Sequence, residues 1–515
     1  MTSTVASSCF PKAAARAGSN VSTRIALLMA PLLLSACTAG PDYSKPTAPT
    51  PTAYKDPGYW KPAHPKDDTI RGKWWEIYHD PELNALEEQV NISNQNILQA
   101  EAQFREAAAA VKVARAGLFP TISANPSYTK SQSSQNLNQN NINTSQSPGA
   151  TVQNLYNLPL EATYMVDVWG AVRRNVEASS TTAQASFADL ENARLSYQAT
   201  LAVDYFSLRG LDAQAQLLAT TAVSYQKYLE LTTNRYNSGI SSKGDVAQAT
   251  TQLDSTKAQL IDLGVQRAQY EDAIATLIGK PASLFKLPKN PLTATPPNIP
   301  VALPSDLLER RPDIAGAERR VASANASIGV AVSAYYPSIT LSASTGLESI
   351  QLSQLFSGPS FLWSVGPALA QTLFNGGATH GQVQEAQANY EATVAVYRET
   401  ALTAFQQVED DLSGLRILKE EAVVEDETVK SSLQSLDIAT NLYKAGTQDY
   451  IDVIVAQAAA LNNQILSVNI RTRRMTTSVL LVEALGGGWD ASKLPGKSGV
   501  ADVPQAQEAI AKEKK

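Results

Sequence analysis

The sequence predicts a mainly α-helical protein with a transmembrane β segment, in which one helix-strand-strand-helix-helix unit is used twice. Three observations predict this fold class. They are an export signal at the N-terminus, four alternating segments set between long helical patterns, and matching residues spaced 207 positions apart in a chain of 515. Four alternating segments are too few to close a barrel, so the unit is expected to assemble with further copies.

Residues 1–36 are predicted to be a lipoprotein signal peptide. Three positive charges precede an apolar run that suits a signal peptide and is too short to span a bilayer. The charges are Lys12, Arg16 and Arg24, and the apolar run is 25–34. The run ends in Leu-Ser-Ala-Cys, which resembles the bacterial lipobox, so Cys37 is predicted to carry N-acyl and S-diacylglycerol groups. The alternative is an ordinary signal peptide with a chance cysteine.

Both ends of the remaining chain differ in composition from its body. Residues 37–73 contain seven prolines between positions 41 and 65, which excludes helix interiors and predicts an extended, lipid-anchored tether. Thr38 rather than Asp follows Cys37, which favours sorting to the outer membrane of a Gram-negative cell. The charged segment 490–515 is predicted to be a disordered tail.

Long helical patterns rich in Ala, Gln, Leu and Glu fill most of the body. They are predicted at about 81–117, 171–236, 243–279, 305–334, 377–444 and 448–485. In the fifth pattern, apolar residues step by three and four, which is the seam of a coiled coil. These residues are Val394, Tyr397, Ala401, Phe405, Val408, Leu412 and Leu415. The helices are therefore expected to pack side by side as extended hairpins.

Four segments alternate between apolar and polar residues with a period of two, as strands do. They lie at about 120–130, 155–169, 337–347 and 361–374. A half-buried sheet of a soluble protein would show the same alternation. The export signal, the aromatic residues on the apolar face and the Ser, Gln and Asn loop at 131–147 favour a transmembrane barrel instead.

The second half of the chain repeats the first. The turn residues Tyr236, Gly239 and Asp245 each precede their counterparts Tyr443, Gly446 and Asp452 by 207 positions. Upstream, Phe119-Pro120 and Tyr336-Pro337 are 217 apart, and the additional ten residues fall in the polar loop, where insertions are tolerated. The first repeat is assigned to 74–290 and the second to 291–489.

Two strands per repeat give four per chain, whereas the smallest known single-chain bacterial barrels have about eight. Three chains in a ring would supply about twelve strands and remove every free edge. The strand count therefore predicts that several copies of the chain assemble as a ring if these strands lie in a membrane.

The composition excludes other classes of function. The net charge of -6 becomes -9 when the three positive charges of the signal leave, so no nucleic acid is expected as a partner. Two cysteines and three scattered histidines exclude a disulfide scaffold and a His/Cys metal site. Motifs such as Gly-x-Ser-x-Gly, His-Glu-x-x-His and the phosphate loop are missing from the sequence, which argues against an enzyme. We expect no catalytic residue, no metal and no cofactor beyond the lipid.

Five features occur in order along the chain between Trp74 and Trp489. They are Trp-Trp-Glu-Ile-Tyr-His-Asp-Pro-Glu-Leu from Trp74, Asp-Val-Trp-Gly-Ala-Val-Arg-Arg from Asp167, the segment 303–314 with Glu-Arg-Arg-Pro-Asp-Ile, Leu-Phe-Asn-Gly-Gly from Leu373, and the two Tyr-x-x-Gly turns. In duplicate and behind a lipobox, they resemble the TolC family of outer-membrane efflux channels, and within it the NodT-like lipoprotein branch.

The resemblance implies a trimeric twelve-stranded β-barrel that continues into a periplasmic α-helical barrel. It implies a passive exit duct for small toxic compounds or drugs, in a tripartite system with a periplasmic adaptor (membrane fusion) protein and an inner-membrane transporter of the RND type. Metal efflux and type I protein secretion are alternatives within the family. A periplasmic adaptor is a further alternative, but the duplicated hairpins and the four strands argue against it.

The two glycine turns are expected to form the periplasmic tips. Glycine permits the positive φ that ends a helix. The resemblance implies that adaptor docking involves these tips, at Tyr236, Gly239, Asp245, Tyr443 and Gly446. Asp245 and Asp452 are also candidates to cap the returning helices.

The resemblance also places a gate at the second tip. Asp452 occupies an acidic gate position, where three copies around an axis would repel one another and favour protonation or cation binding. Val455 stands where some members have a second Asp, so this ring would be apolar and would close by dewetting. The alternative is that Asp452 only caps its helix.

Overall fold

A computed structural model describes residues 38–51, 53–55, 72–132, 152–299, 308–496 and 499–502. Its helices are α1 (Pro81–Ser93), α2 (Gln95–Ala116), α3 (Ala171–Asn237), α4 (Lys243–Leu277), α5 (Pro312–Ser333), α6 (Ala378–Ala445) and α7 (Tyr450–Ala484). Its strands are β1 (Thr121–Ala124), β2 (Ser127–Gln132), β3 (Val152–Val166), β4 (Ser338–Ser349) and β5 (Phe361–Ala370). The predicted order of helices and strands is confirmed in both halves.

Contacts divide the chain into two compact units. Among the described residues, the β unit comprises 38–41, 115–132, 152–175 and 326–384, and the helical unit comprises 42–51, 53–55, 72–114, 176–299, 308–325, 385–496 and 499–502. Each half of the sequence thus contributes to both units.

The β unit contains one antiparallel sheet in which β3 and β4 are central. The first predicted strand is interrupted at Asn125-Pro126, because proline has no N–H to donate to a ladder. Its two parts, β1 and β2, keep one register against β3, with Thr121 opposite Thr163 and Ser127 opposite Asn157. The sheet therefore has four strand positions, as the sequence predicts.

The register puts most of the large apolar residues of the strands on one face. Ala162 lies between Ile122 of β1 and Ala343 of β4, and Ala343 in turn lies opposite Val365 of β5. The other face is mostly polar, and Ser344 and Ser364 are hydrogen-bonded there at 2.8 Å. The apolar face is not covered by other residues that the structure describes, since Val365 is 71% exposed.

Both edges of the sheet are open among the described residues. β1 and β2 follow one another along one edge, where both pair with β3. β5 forms the other edge, where it pairs with β4. An unpaired strand edge together with an exposed apolar face is incompatible with a chain that stays alone in lipid.

The corner between β3 and α3 explains the motif from Asp167. The Asp167 carboxylate accepts hydrogen bonds from the backbone N–H groups of Val172 and Arg173 at 3.0 and 2.9 Å. It therefore caps the N-terminus of α3. Trp169 stacks on Tyr336 at 4.7 Å between ring centroids. The same indole donates to the carbonyl of Pro337 at 2.8 Å, which holds this corner at the start of β4.

The described residues of the helical unit form one large core and three smaller apolar clusters. Trp74, Trp75 and Tyr78, from the motif that precedes α1, are buried in the large core. The predicted seam of α6 is buried from Tyr397 to Leu415. α7 is apolar enough over its length to cross a membrane, but a core helix passes the same test, and many of its residues are buried.

Two of the predicted helices have different limits in the structure. The pattern at 81–117 is two helices, because Asn94 leaves the helical conformation and its side-chain oxygen caps α2 through the N–H groups of Asn96 and Ile97. The pattern at 305–334 gives α5 from Pro312, and Arg311 separates it from a short turn at 308–310. The residue before a proline is disfavoured in a helix.

These two breaks are repeat-related, 217 positions apart, and each contacts the end of a later helix. The side chain of Asn94 donates to the carbonyl of Leu277 at 2.8 Å, and that of Arg311 donates to the carbonyl of Ala484 at 3.0 Å. Leu277 and Ala484 are themselves 207 positions apart. The duplication therefore extends to individual hydrogen bonds.

Gly279 at the end of α4 should not tolerate a side chain. Its φ is +68°, and an added Cβ would collide with the carbonyl oxygen of Ser93. Replacing Gly279 with Ala is expected to destabilise the protein by about 1–3 kcal/mol, since the strained backbone adds to the clash. Thermal scans of purified protein at a fixed heating rate would show the loss.

Gly264 is the matched control for that prediction. It lies inside α4 with open space around it, so Gly264→Ala should be neutral or stabilising by about 0.5–1 kcal/mol. Equal effects of the two substitutions would show that the contact with Ser93 does not determine the stability of this joint.

The chain ends depart from the predicted tether and tail. The described residues between 38 and 55 carry no helix or strand, but they lie on the body. Ala39 donates to the carbonyl of Trp169 at 2.8 Å in the β unit. In the helical unit, Tyr43 donates to Glu318. At the other end, Gly499–Asp502 is a 3-10 helix that buries Val500 in the large core, so a disordered tail is wrong for 490–496 and 499–502. Burial of Val500 outweighs the polarity of its neighbours.

Candidate functional site

Two turns join the longest helices to the helices that follow them. The first turn (238–242) joins α3 to α4, and the second turn (446–449) joins α6 to α7. Gly239 has φ +74° and Gly446 has φ +77°, as predicted for glycines that end helices.

The hydrogen bonds of the two turns are repeat-related. In the first turn, Gly239 N–H donates to the Tyr236 carbonyl at 2.9 Å and Ile240 N–H to the Arg235 carbonyl at 2.8 Å. In the second turn, Gly446 N–H donates to the Tyr443 carbonyl at 3.0 Å and Thr447 N–H to the Leu442 carbonyl at 3.1 Å. Both turns satisfy the last carbonyls of the preceding helix in the same way.

The two aspartates that follow the turns differ. Asp245 accepts from the N–H of Ser242 at 3.0 Å and its own N–H donates to the Ser242 hydroxyl at 3.1 Å, which is a capping box. The N-cap of α7 is Asp449, whose side chain makes no capping hydrogen bond. Asp452 occupies the position of Asp245, three residues after the N-cap, but its side chain makes no capping hydrogen bond among the described residues, so the capping role predicted for it is wrong.

A cluster of buried residues holds the helices together beside the two turns. We call it the tip cluster, and it contains Ala249, Ala439, Tyr443, Tyr450, Val453 and Ala456. The rings of Tyr443 and Tyr450 are 5.2 Å apart between centroids. Burial, reinforced by Tyr443, raises the pKa of Tyr450 to about 12, so its hydroxyl stays neutral.

Arg235 connects the first repeat to the second repeat at the turns. Its guanidinium lies 4.6 Å from the centroid of the Tyr443 ring and donates to the carbonyl of Lys444 at 3.4 Å. The Ser241 hydroxyl lies 3.1 Å from that of Tyr443. We call these three interactions the Arg235 contact. It spans from the end of α3 to the end of α6.

The predicted site residues differ in exposure. Tyr236 is 42% exposed and an added side chain at Gly239 would meet open space, so this turn is accessible. Tyr443 is 3% exposed, so its side chain is not available to a partner and instead packs in the tip cluster. Asp452 is half-buried, whereas Val455, on the next turn of α7, is 63% exposed.

Sequence reasoning missed Arg235 and Tyr450. Matching of the repeats emphasises identities, and the counterpart of Arg235 is Leu442. The available signal was that this position carries a cation in the first repeat and an apolar residue in the second. Tyr450 carried no signal, because its role depends on packing against Tyr443 and not on a motif.

The family model for "Outer membrane efflux protein" matches residues 86–280 and 303–487, one segment on each side of the connector between the repeats (281–302). This match covers well over half of the chain. The chain belongs to this family. It is therefore an outer membrane efflux protein, which acts as a passive channel and not as an enzyme.

Curated relatives and solved structures agree with the family. The chain is 30% identical to the solvent efflux pump outer membrane protein SrpC of Pseudomonas putida over 90% of this chain and 98% of SrpC. It is 29% identical to the probable efflux pump outer membrane protein TtgC of Pseudomonas putida, over 90% and 95%. The outer-membrane channel OprN matches with a TM-score of 0.81 at 27% identity, covering 88% of this chain and all of OprN.

The predicted family, its mainly helical fold with a β segment and its outer-membrane location are thus confirmed. In the part of the chain that the structure describes, no three His, Cys, Asp or Glu residues are grouped to hold a metal ion. Cys37, the predicted lipid anchor, lies outside the described residues.

Proposed function

We propose that three copies of this chain form the outer-membrane exit duct of a tripartite pump for small toxic organic compounds. The open sheet of the β unit carries this proposal. Its apolar face is exposed and its two edges are unpaired within the described residues, so a ring of copies would satisfy both features in lipid. Four strand positions in each of three copies give twelve.

Assembly and conductance test the trimer directly. Full-length protein purified in mild detergent should have the mass of a trimer by light scattering and should form conducting pores in planar bilayers. A monomer that conducts no ions would overturn the proposal.

The orientation of the sheet gives a sharper test. A charge on the lipid-facing side costs about 2–4 kcal/mol per residue near the midplane, whereas the lumen tolerates polar changes. Trp363→Arg, on the apolar face, should therefore abolish SDS-resistant assembly, as judged on unheated gels. Ser364→Arg, on the polar face, should leave assembly intact and alter conductance. The reverse order would place the apolar face in the lumen.

The two turns are proposed as the periplasmic end of the duct. Tyr236 and Gly239 are offered as the contact for the adaptor, since this turn is exposed. Asp245, Tyr443 and Gly446 support the same turns from within, through the capping box, the tip cluster and the positive φ. Asp452 and the exposed Val455 are proposed to face the axis, where three copies would constrict the lumen.

The proposed cargo comes from the named roles of relatives. They include toluene efflux, solvent efflux, antibiotic efflux and pyoverdine export proteins of Pseudomonas. Their shared feature is an organic molecule that leaves through an outer-membrane duct. The partners proposed for this chain are a periplasmic adaptor and an inner-membrane transporter.

Cys37 is proposed to anchor the chain through lipid. In cells fed radioactive palmitate, replacing Cys37 with Ala should remove all label from this protein. The chain would then have no thiol at the cleavage site to receive the lipid. Fractionation and unheated gels would show whether trimers still reach the outer membrane. Cys9→Ala, within the signal, is the matched control and should keep the label. Undiminished labelling of Cys37→Ala would reject the anchor.

A further inference from the structure

Helices α3 and α7 pack against each other within one chain. Gly210 of α3 lies so close to Thr472 of α7 that a Cβ on the glycine would collide with the threonine side chain. Further along, the Tyr225 hydroxyl donates to the carbonyl of Gln457 at 3.3 Å. Residue numbers fall along α7 as they rise along α3, so the two helices are antiparallel.

The duplication gives each of these helices a counterpart, which we define as the residues 207 positions away. The bounds of α4 and α7 are 207 positions apart at both ends, and α6 begins 207 positions after α3. The counterpart of the packing of α3 on α7 is therefore a packing of α6 on α4. In it, Ile417 stands in the place of Gly210, and Val265 stands in the place of Thr472.

One face of α6 is apolar and exposed where the same face of α3 is packed. Ile417 and Val424, seven residues apart, are 52% and 67% exposed. Their counterparts on α3 are Gly210, which is buried, and Leu217, which packs in an apolar cluster with residues of α7. The sequence thus keeps apolar side chains on this face of α6, although they stay exposed in a single chain.

The corresponding face of α4 shows the same pattern. Ile261 and Val265, one helical turn apart, are 76% and 57% exposed. Their counterparts on α7 are Val468 and Thr472, which are half-buried. This face of α4 therefore also lacks, in a single chain, the covering that its counterpart has.

The register of α3 against α7 would bring these two exposed faces together. Transfer of the contact between the glycine and the threonine places Ile417 against Val265. Because the helices are antiparallel, Ile261 then lies at a level between Ile417 and Val424. Apolar side chains exposed on α6 would meet apolar side chains exposed on α4, and their burial would stabilise the contact.

We propose that α4 of one copy packs on α6 of the next copy through Ile261, Val265, Ile417 and Val424. This inference rests on the proposed ring of copies and names the helices that join them. The sheet supports it independently, because β3 pairs with β4 inside the chain while their counterparts, β5 and β1, are at its edges. A second copy fits these faces because it supplies the other half of a contact that each chain already makes once.

The polar side chains beside the contact differ between the two junctions. Inside the chain, Gln214 of α3 donates to Asn469 of α7. Their counterparts are Glu421 and Asp262, two carboxylates, and Glu421 pairs with Arg473 of its own chain at 3.8 Å. The junction between copies therefore depends on apolar burial, and it is expected to separate more easily than the junction inside the chain.

Paired cysteines test the contact on full-length protein in detergent. Val265→Cys combined with Ile417→Cys should form an intermolecular disulfide on mild oxidation, since the two positions lie against each other in neighbouring copies. Non-reducing denaturing gels should then show covalent dimers and trimers. Each single variant should stay monomeric on these gels, which controls for Cys9 and Cys37, the two natural cysteines.

Gly264→Cys combined with Ile417→Cys is the matched control. Gly264 adjoins Val265 but has open space around it, and its counterpart Arg471 is exposed although α7 is packed by α3. This pair should crosslink at least about tenfold more slowly, because the two thiols would point in different directions. Equal rates for the two pairs would overturn the proposal.

A charge placed in the contact gives a second test. Ile417→Glu would bury a carboxylate against Val265 and beside Asp262 of the next copy. It should lower the temperature at which trimers dissociate in SDS by about 5 °C or more. Adding Val265→Lys should restore the parent temperature, because the new ammonium pairs with the new carboxylate. A parent-like Ile417→Glu trimer, or a double variant no better than the single one, would overturn the proposal.

Val423→Glu is the control for the charge. Val423 is 64% exposed, and its counterpart Gln216 is exposed although α3 is packed by α7. This variant should dissociate at the parent temperature.

Light scattering of the parent separates failure of this contact from failure of the proposed function. A trimeric parent whose Val265→Cys and Ile417→Cys variant does not crosslink would overturn the contact and leave the ring of copies standing. A monomeric parent would overturn both.

Discussion

Replacing Asp212 with Ala is expected to destabilise the protein by about 3–5 kcal/mol, because it removes one partner from a buried ion network. The carboxylate accepts from Arg209, Arg267 and the N–H of Asn290. Without it, two guanidinium groups stay in a buried environment with less compensation. Thermal scans at a fixed rate should show the largest loss of any single substitution in α3.

The matched control is an exposed aspartate. Asp254 on α4 lies 4.0 Å from Lys257 and its side chain is 66% exposed, so Asp254→Ala should change stability by less than about 0.5 kcal/mol. Limited proteolysis adds a local readout, since release of the connector should expose the bond after Lys289 in Asp212→Ala. Similar melting of the two variants would show that the network is not what holds the connector.

The sheet could be predicted from the sequence because its alternation is local. Every residue in a strand has its face fixed by its parity, so the segment from Ile339 predicted its own apolar side and, by pairing, that of its neighbours. Asn125-Pro126 interrupted the first strand, although the register continued across it. The proline was visible, but the continuity depended on β3.

The helices were predicted in type and less well in their ends. Asn94 is a good N-cap, yet nothing local distinguishes an asparagine that caps from one that faces solvent. The distinction comes from Leu277, which accepts from its side chain 183 positions away. Burial of Val500 is non-local in the same way, since the core that covers it is built from distant helices.

The turns were the best predicted part of the site and the contact between them was the worst. Gly239 and Gly446 predict a helix end because glycine readily adopts the positive φ that both residues have. The Arg235 contact requires that two turns from different repeats lie together, which the sequence does not state.

Replacing Arg235 with Ala is expected to open the duct. A cation–π contact contributes about 0.5–2 kcal/mol and a hydrogen bond about 1 kcal/mol, so the Arg235 contact should be worth about 1–2 kcal/mol in each chain. If the turns of three copies open together, the closed state loses about 3–6 kcal/mol, which raises the open fraction by a hundredfold or more. Conductance in planar bilayers would measure this directly.

Two other variants separate the contact from general damage to the turns. Leu442 occupies the position of Arg235 in the second repeat and is 42% exposed, so Leu442→Ala makes a similar truncation without touching the contact. It should leave conductance unchanged. Tyr443→Phe removes the hydroxyl that lies near Ser241 and keeps the ring under the guanidinium, so its effect should be much smaller than that of Arg235→Ala.

The site of closure follows from comparing Arg235→Ala with changes at Asp452. If the Arg235 contact holds α3 and α6 together while Asp452 faces the lumen, Arg235→Ala should raise the open fraction, and Asp452→Asn should alter cation selectivity more than opening. An Arg235→Ala variant that conducts as the parent does would mean that the contact stabilises the hairpins without restraining the duct. Closure would then have to come from residues on α7 itself, and Val455, which is exposed one turn beyond Asp452, would be the side chain to enlarge or shorten next.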